Sequence, residues 1–116
     1  MNRHLRPIFL ILILPGLMLA QKSVDFDQYF LDKTLRIDYF HGGDAKEEFV
    51  TLDRIFEQGI WAGSKRNLLD NFNNGRYSIK IYDLASGRLI FSKGFDTYFG
   101  EYKTTGDALK GFKRTY

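Results

Sequence analysis

The sequence predicts an all-β protein, built as an antiparallel β-sandwich. Short runs with an apolar residue at every second position recur along the chain, and Gly- and Asn-rich turns separate them. Helical periodicity is almost absent. Aromatic residues make up 16% of the chain, a richness that suits a small β domain with an aromatic core. Together these observations favour two packed antiparallel sheets.

The first twenty residues have the pattern of a secretory signal peptide. Arg3 and Arg6 give a positively charged start, and residues 8–14 form an unbroken apolar run. That run is too short for a comfortable transmembrane helix, although an uncleaved anchor is the alternative. We therefore predict a signal peptide at residues 1–20 and one β domain at residues 21–116. The domain is expected to be exported, to the periplasm or the extracellular space, without membrane attachment after cleavage.

The composition narrows the possible partners. Two of the 17 basic residues lie in the predicted signal peptide, so the remainder of the chain has 15 basic and 14 acidic residues. This near balance gives a nucleic-acid partner no electrostatic support, and we predict none. The chain has no cysteine, so the exported domain would depend on its core rather than on disulfides. A chain of this length buries enough surface to fold alone.

Two strands are predicted in the first half of the domain. Residues 34–39 alternate cleanly between apolar and polar side chains, and the Gly42-Gly43-Asp44 turn ends this strand. Residues 48–56 form the second strand, whose less regular apolar positions indicate a bulge or a twist. The aromatic segment at residues 21–33 is left open between a lead-in strand and a short turn of helix.

The clearest element is a hairpin in the second half. Tyr77–Tyr82 alternates, Gly87 stands where a short loop needs a positive φ, and residues 88–91 return as the second strand. Before it, the NFNNG segment at residues 71–75 is a connection, because Asn and Gly tolerate the left-handed region. Near the C-terminus, a brief helical turn from Asp107 is expected to lead into a last strand.

Residues that could carry chemistry are sparse. His41, the one histidine after residue 20, is interpreted as an exposed turn residue rather than a catalytic base. No HExxH motif and no phosphate-binding loop occur, so we predict no catalytic residue, no metal site and no cofactor. The acidic residues of 44–48, or Asp96 with Glu101, are conceivable calcium ligands or paired carboxylates. No loop matches a calcium pattern, and solvated faces explain these residues more simply.

Three aromatic residues are candidates for binding. Trp61, Tyr98 and Tyr102 lie in glycine-punctuated segments, where exposed rings can stack on a sugar or on an apolar partner surface. The competing interpretation places such rings in the core. Phe95 and Phe99 are expected to fill the space between the sheets, and whether Trp61 is core or surface is left open.

One motif is specific enough to compare with a known family, Gly94-Phe-Asp-Thr-Tyr-Phe-Gly-Glu-Tyr-Lys-Thr-Thr105. Five shorter motifs accompany it: Thr34-Leu-Arg-Ile-Asp-Tyr39, Gly59-Ile-Trp-Ala-Gly-Ser64, Asn67-Leu-Leu-Asp70, Gly75-Arg-Tyr77 and Leu89-Ile-Phe-Ser92. From about Phe26 to the C-terminus, the chain resembles the N-terminal domain of IgA-peptidase-type secreted zinc metallopeptidases, metallopeptidase family sixty-four. Tyr102 and Gly106 depart from the family pattern, which has Trp and an acidic or similar residue there.

The resemblance implies a β-sandwich that precedes a catalytic domain with an HExxH zinc site. No position of this chain matches that motif, so no zinc ligand or catalytic glutamate can be assigned here. The expected function is a non-catalytic accessory domain that positions or stabilises the catalytic domain or contacts substrate. Its partners would be that domain and a protein or glycan substrate.

Two alternatives stay open beside the accessory domain. One is a free-standing glycan- or protein-binding β-sandwich. The other is a fragment without a function of its own, with an unpaired sheet edge near residues 113–116. The resemblance also implies further strands, so the sandwich is expected to lack its last strand or strands, or to receive one from a partner.

Overall fold

The computed structural model describes residues 23–116, and the predicted signal peptide at residues 1–20 lies outside this range. Its elements are α1 (Phe26–Tyr29), β1 (Thr34–Gly43), β2 (Glu48–Gln58), β3 (Tyr77–Tyr82), β4 (Leu89–Phe95), α2 (Tyr98–Tyr102), α3 (Gly106–Leu109) and β5 (Arg114–Thr115). None of the helices within the described range is long and apolar enough to cross a membrane.

The strands form two antiparallel sheets. One has the order β2-β1-β5, and the other is the β3-β4 hairpin. Side chains of both sheets line a common apolar space, so the sheets face one another. The predicted fold class, an all-β antiparallel sandwich, is confirmed.

The β1–β2 hairpin is longer than predicted. Asp38 pairs with Arg54 and Tyr39 with Leu52, so Asp53 is an extra residue on β2, which confirms the predicted bulge. β1 continues through Gly42 and Gly43 instead of ending before them, because β2 and β5 pair with these glycines on both sides. The turn begins only at Asp44.

The β3–β4 hairpin is confirmed. Tyr77, Ile79 and Ile81 are half-buried, and the residues between them are exposed, as the alternation predicts. Gly87 in the loop has a φ of +67°. In the preceding connection Asn73 has a φ of 49° and Gly75 one of 106°, so the connection does use the left-handed region.

Three short helices begin at hydrogen-bonding caps. Asp25 accepts a bond from Asp27 N at the start of α1, which decides the open choice at residues 21–33 in favour of helix. Thr97 Oγ1 accepts from Gly100 N at the start of α2, where no helix was predicted. Thr105 caps α3 in the same way, and β5 follows, so the predicted helical turn and last strand are confirmed.

Among residues 23–116 the buried hydrophobic core consists of two separate clusters. The first contains Val24, Phe26, Leu68 and Ile90, with Trp61 and Phe91 among the half-buried residues packed on it. The second contains Phe99, Tyr102 and Ala108, from α2 and α3. Ile37, Tyr39, Val50 and Leu52 of the first sheet belong to neither cluster, and they line the space that forms the candidate site.

Candidate functional site

An apolar groove runs between the two sheets. Its wider part has a volume of about 280 Å³ and is lined by Ile37, Tyr39, His41, Val50, Leu52, Tyr77, Ser78, Ile79 and Phe95. Towards the start of β1 a second part of about 150 Å³ is lined by Phe26, Phe30, Lys33, Leu35, Ile37, Trp61, Ile79, Ile81 and Phe91. We call these two parts together the inter-sheet groove.

The groove follows from strand alternation. Leu35, Ile37, Tyr39 and His41 are every second residue of β1, so they share the inner face of the sheet. Their partners on β2 share that face, since Tyr39 pairs with Leu52 and His41 with Val50. Sandwich strands normally bury such residues against the opposite sheet.

Here the inner face is poorly covered. Val50 is 62% exposed, Leu52 57% and Ile55 56%, and every residue of β2 is exposed. Exposed apolar side chains grouped on one face are typical of an interaction site. Phe95 lines the groove as predicted, whereas Phe99 is fully buried in the second core cluster.

A polar cluster closes one end of the inter-sheet groove, with His41 at its centre. His41 is only 3% exposed, so its interpretation as an exposed turn residue is wrong. Its Nε2 lies 2.7 Å from Glu48 Oε1, and its Nδ1 lies 3.2 Å from Thr97 Oγ1. The ring packs against Phe99 and Tyr77, with centroids at 4.5 and 4.8 Å. The sequence did carry a signal for this burial, because His41 occupies the next position in the alternating apolar pattern of β1.

Glu48 is the shared acceptor of this cluster. Burial alone would raise its pKa, but hydrogen bonds from Lys103, His41 and Tyr77 outweigh burial and lower the pKa of Glu48 to about 2. Burial, together with the bond to Glu48, raises the pKa of Tyr77 to about 12. At neutral pH the cluster therefore contains a carboxylate and a protonated phenol, and these link β1, β2, β3 and the residue after α2.

Thr97, His41 and Glu48 are hydrogen-bonded in series, as are the nucleophile, the base and the acid of a catalytic triad. Two contacts weigh against that role. Thr97 Oγ1 is already the acceptor that caps α2, and the His41 ring is covered by Phe99. The contacts explain the cluster as a structural one, which holds α2 against β1, β2 and β3.

The predicted aromatic residues lie in three different settings. Tyr102 is 4% exposed and its hydroxyl donates to Phe112 O at 2.5 Å, so its ring has no open face for stacking. Trp61 is half-buried on the first core cluster, where its Nε1 donates to Ser64 O at 3.2 Å. Tyr98 is 78% exposed at the start of α2. Binding through Trp61 and Tyr98 stays a prediction.

Two of the acidic residues considered as calcium ligands, Asp44 and Asp96, accept hydrogen bonds from backbone amides. Asp44 Oδ1 accepts from Lys46 N and Glu47 N in the β1–β2 turn, which lowers the pKa of Asp44. Asp96 Oδ1 accepts from Arg76 N at 3.0 Å. Within residues 23–116, no group of three or more His, Cys, Asp or Glu side chains is placed to share a metal ion.

The fold and this site define a small two-sheet β domain whose inner apolar face is only partly covered. The particular family follows from comparison with known proteins. The family model described as "Peptidase M64 N-terminus" matches residues 25–116, and the chain belongs to this family. A comparison with curated proteins finds no match.

Proposed function

We propose that this chain is an exported, non-catalytic accessory domain of an M64 peptidase. In this role it binds the catalytic part of the peptidase, and so positions or stabilises it, through the inter-sheet groove. The observation that carries the proposal is the combination of a family match over residues 25–116 with an apolar inner face that the described residues leave uncovered. A large exposed apolar surface is typical of a site that another domain or protein covers.

Two features of the chain support the non-catalytic part of the proposal. The printed sequence contains no HExxH motif, which is the zinc-binding helix expected of the catalytic domain. The polar groups nearest the groove, those around Glu48 and His41, are bonded to one another and partly buried. The lining itself is mostly aliphatic and aromatic, which suits binding rather than proton transfer.

The test is binding to a separately expressed catalytic domain of a peptidase of this family, measured by co-elution and calorimetry. Leu52→Asp should weaken binding at least about tenfold, because it puts a charge on the inner face. Thr51→Asp is the matched control, because it changes the neighbouring exposed residue, which points to the outer face. Peptidase activity of the purified chain that a chelator abolishes would contradict the proposal, and so would absence of binding.

A second candidate function is sugar or protein binding through exposed aromatic rings. Its support is Tyr98, whose side chain is 78% exposed on a short helix. Screening the purified chain on glycan arrays tests it, with Tyr98→Ala as the variant in which specific signals should disappear.

A further inference from the structure

The last strand of the described chain covers only one end of the β1 edge. Arg114 pairs with Gly43 and Thr115 with Gly42. The ladder continues through Tyr116, whose N donates to His41 O at 3.0 Å and whose O accepts from His41 N at 2.9 Å. From Phe40 back to Thr34, β1 has no strand beside it on this side among the described residues.

The backbone groups on this open edge can be identified from the ladder. In an antiparallel sheet, alternate residues direct both N–H and C=O to the same neighbouring strand. His41 directs these groups to Tyr116, so Tyr39, Ile37 and Leu35 direct theirs to the same side. Thr34 N instead donates to Gly59 O beyond β2, as the alternation requires. Within residues 23–116, no backbone hydrogen bond reaches the N–H and C=O groups of Tyr39, Ile37 and Leu35 on that side.

Two other sheet edges of the sandwich are protected against the addition of a strand. On β4, Ser92 N donates to Leu68 O and Gly94 N donates to Asp70 Oδ2, so a loop covers that edge. On β2, the bulge at Asp53 interrupts the regular spacing that an incoming strand needs. The β1 edge is regular and open, and a ladder has already begun on it.

We propose that the β1 edge from Leu35 to Tyr39 accepts an extended strand from the catalytic part of the peptidase, in line with β5 and antiparallel to β1. This step rests on the proposed function and names how the partner binds. Strand addition of this kind uses main-chain hydrogen bonds for affinity and alternate side chains for specificity. A strand that continues the row begun by β5 has the antiparallel direction and the register of the existing ladder.

The register predicts the chemistry of the incoming strand. Directly opposite residues share a face, so the side chains opposite Tyr39, Ile37 and Leu35 enter the inter-sheet groove and should be apolar. The residues between them lie over the outer face, where Arg36 already donates to Asp38 at 2.6 and 2.7 Å. These intervening residues should be polar.

The test adds eight residues after Tyr116, where the existing ladder sets the register. An alternating Thr-Val extension that starts with Thr places valines opposite Tyr39, Ile37 and Leu35. The same composition starting with Val places them on the outer face, and this is the matched control. Amide exchange at these three residues should slow at least about tenfold with the first extension and not with the second. Equal protection by both extensions, or by neither, would overturn the proposal.

Binding of the catalytic domain separates this inference from the proposed function. The Thr-first extension should weaken binding at least about tenfold because it occupies the edge, whereas the Val-first extension should not. If the unextended chain and both variants bind equally well, strand addition is refuted and the proposed function stands. If the unextended chain does not bind either, the proposed function and the identity of the incoming strand are both refuted. In that case the exchange measurements test only whether the β1 edge accepts a strand.

Discussion

Replacing Glu48 with glutamine tests whether the polar cluster holds the two halves of the described chain together. Glu48 accepts from His41 and pairs with Lys103, which follows α2. The substitution keeps the size of the side chain and removes its charge. Lys103 then loses its counter-ion, and the new amide has to turn either its oxygen or its NH₂ towards His41.

The magnitude follows from the pKa of Glu48, which falls from 4.5 to about 2 in the folded chain. A difference of this size corresponds to about 3 kcal/mol of stability at neutral pH. The side chain is 27% exposed, so solvent screens part of the interaction. We therefore expect Glu48→Gln to lower the free energy of unfolding by about 2 kcal/mol at neutral pH.

The pH dependence has a definite sign. Because the folded pKa of Glu48 lies below the unfolded one, its contribution is complete above pH 4.5 and is lost as the pH falls towards 2. The difference between the parent chain and Glu48→Gln should therefore shrink as the pH falls from about 5 towards about 2. Urea unfolding followed by the fluorescence of Trp61 measures it.

Glu47→Gln is the matched control for this experiment. Glu47 is the adjacent residue, its side chain is 72% exposed, and it pairs with exposed Lys113. Such surface pairs contribute about 0.5 kcal/mol or less. Equal destabilisation by the two substitutions would refute the reasoning, and so would a Glu48→Gln effect that does not change with pH.

Three further predictions concern single sites. Gly43→Ala should destabilise the chain by about 3 kcal/mol in urea unfolding, because the residue has a φ of +133° and a Cβ would lie 2.0 Å from Glu47 O. Gly59→Ala, with nothing within 4 Å of the added carbon, should change stability by less than about 0.5 kcal/mol. Tyr102→Phe should lose about 1 kcal/mol in the same assay, because the bond to Phe112 O disappears; no loss would contradict that assignment. Trp61→Ala should lower the thermal midpoint by an amount equivalent to about 2 kcal/mol, because half-buried apolar area is removed. Tyr98→Ala should leave the midpoint unchanged, since this ring is mostly exposed; equal midpoint shifts would show that the two rings do not differ in packing.

Strand alternation predicted the sheets because it reports directly which side chains face a core. The patterns at residues 34–39 and 77–82 each placed a strand correctly, and Gly87 marked the hairpin loop. The helix α2 escaped prediction because five residues are too few to display a helical period. A local signal was nevertheless present, since Thr97 is a preferred N-cap residue.

The candidate site was harder to predict because its parts are distant in sequence. Glu48 and Lys103 are separated by 55 positions, and no local pattern indicates that such residues meet. The inner face was predictable from alternation, but how little of it is covered was not. A period-two pattern identifies an apolar face without identifying what packs on it. His41 was misplaced because the two glycines after it were interpreted as a turn.

Asp70 provides a last test, because it explains why the β4 edge is closed while the β1 edge is open. Its Oδ1 accepts from Phe72 N and Asn73 N, and its Oδ2 accepts from Gly94 N at 2.7 Å. These three bonds lower the pKa of Asp70 and tie the loop to the strand. Asp70→Ala should therefore accelerate amide exchange at Gly94 and release the loop.

The control for Asp70 is another aspartate that caps a turn. Asp83 accepts from Ser86, three residues away, and makes no bond to β4 through its side chain. Asp83→Ala should therefore leave exchange at Gly94 unchanged. If Asp70→Ala also leaves it unchanged, the loop does not close the β4 edge. The contrast between a guarded β4 and a receptive β1 would then lose its basis, because both strands would present open edges and only the β5 ladder would distinguish them.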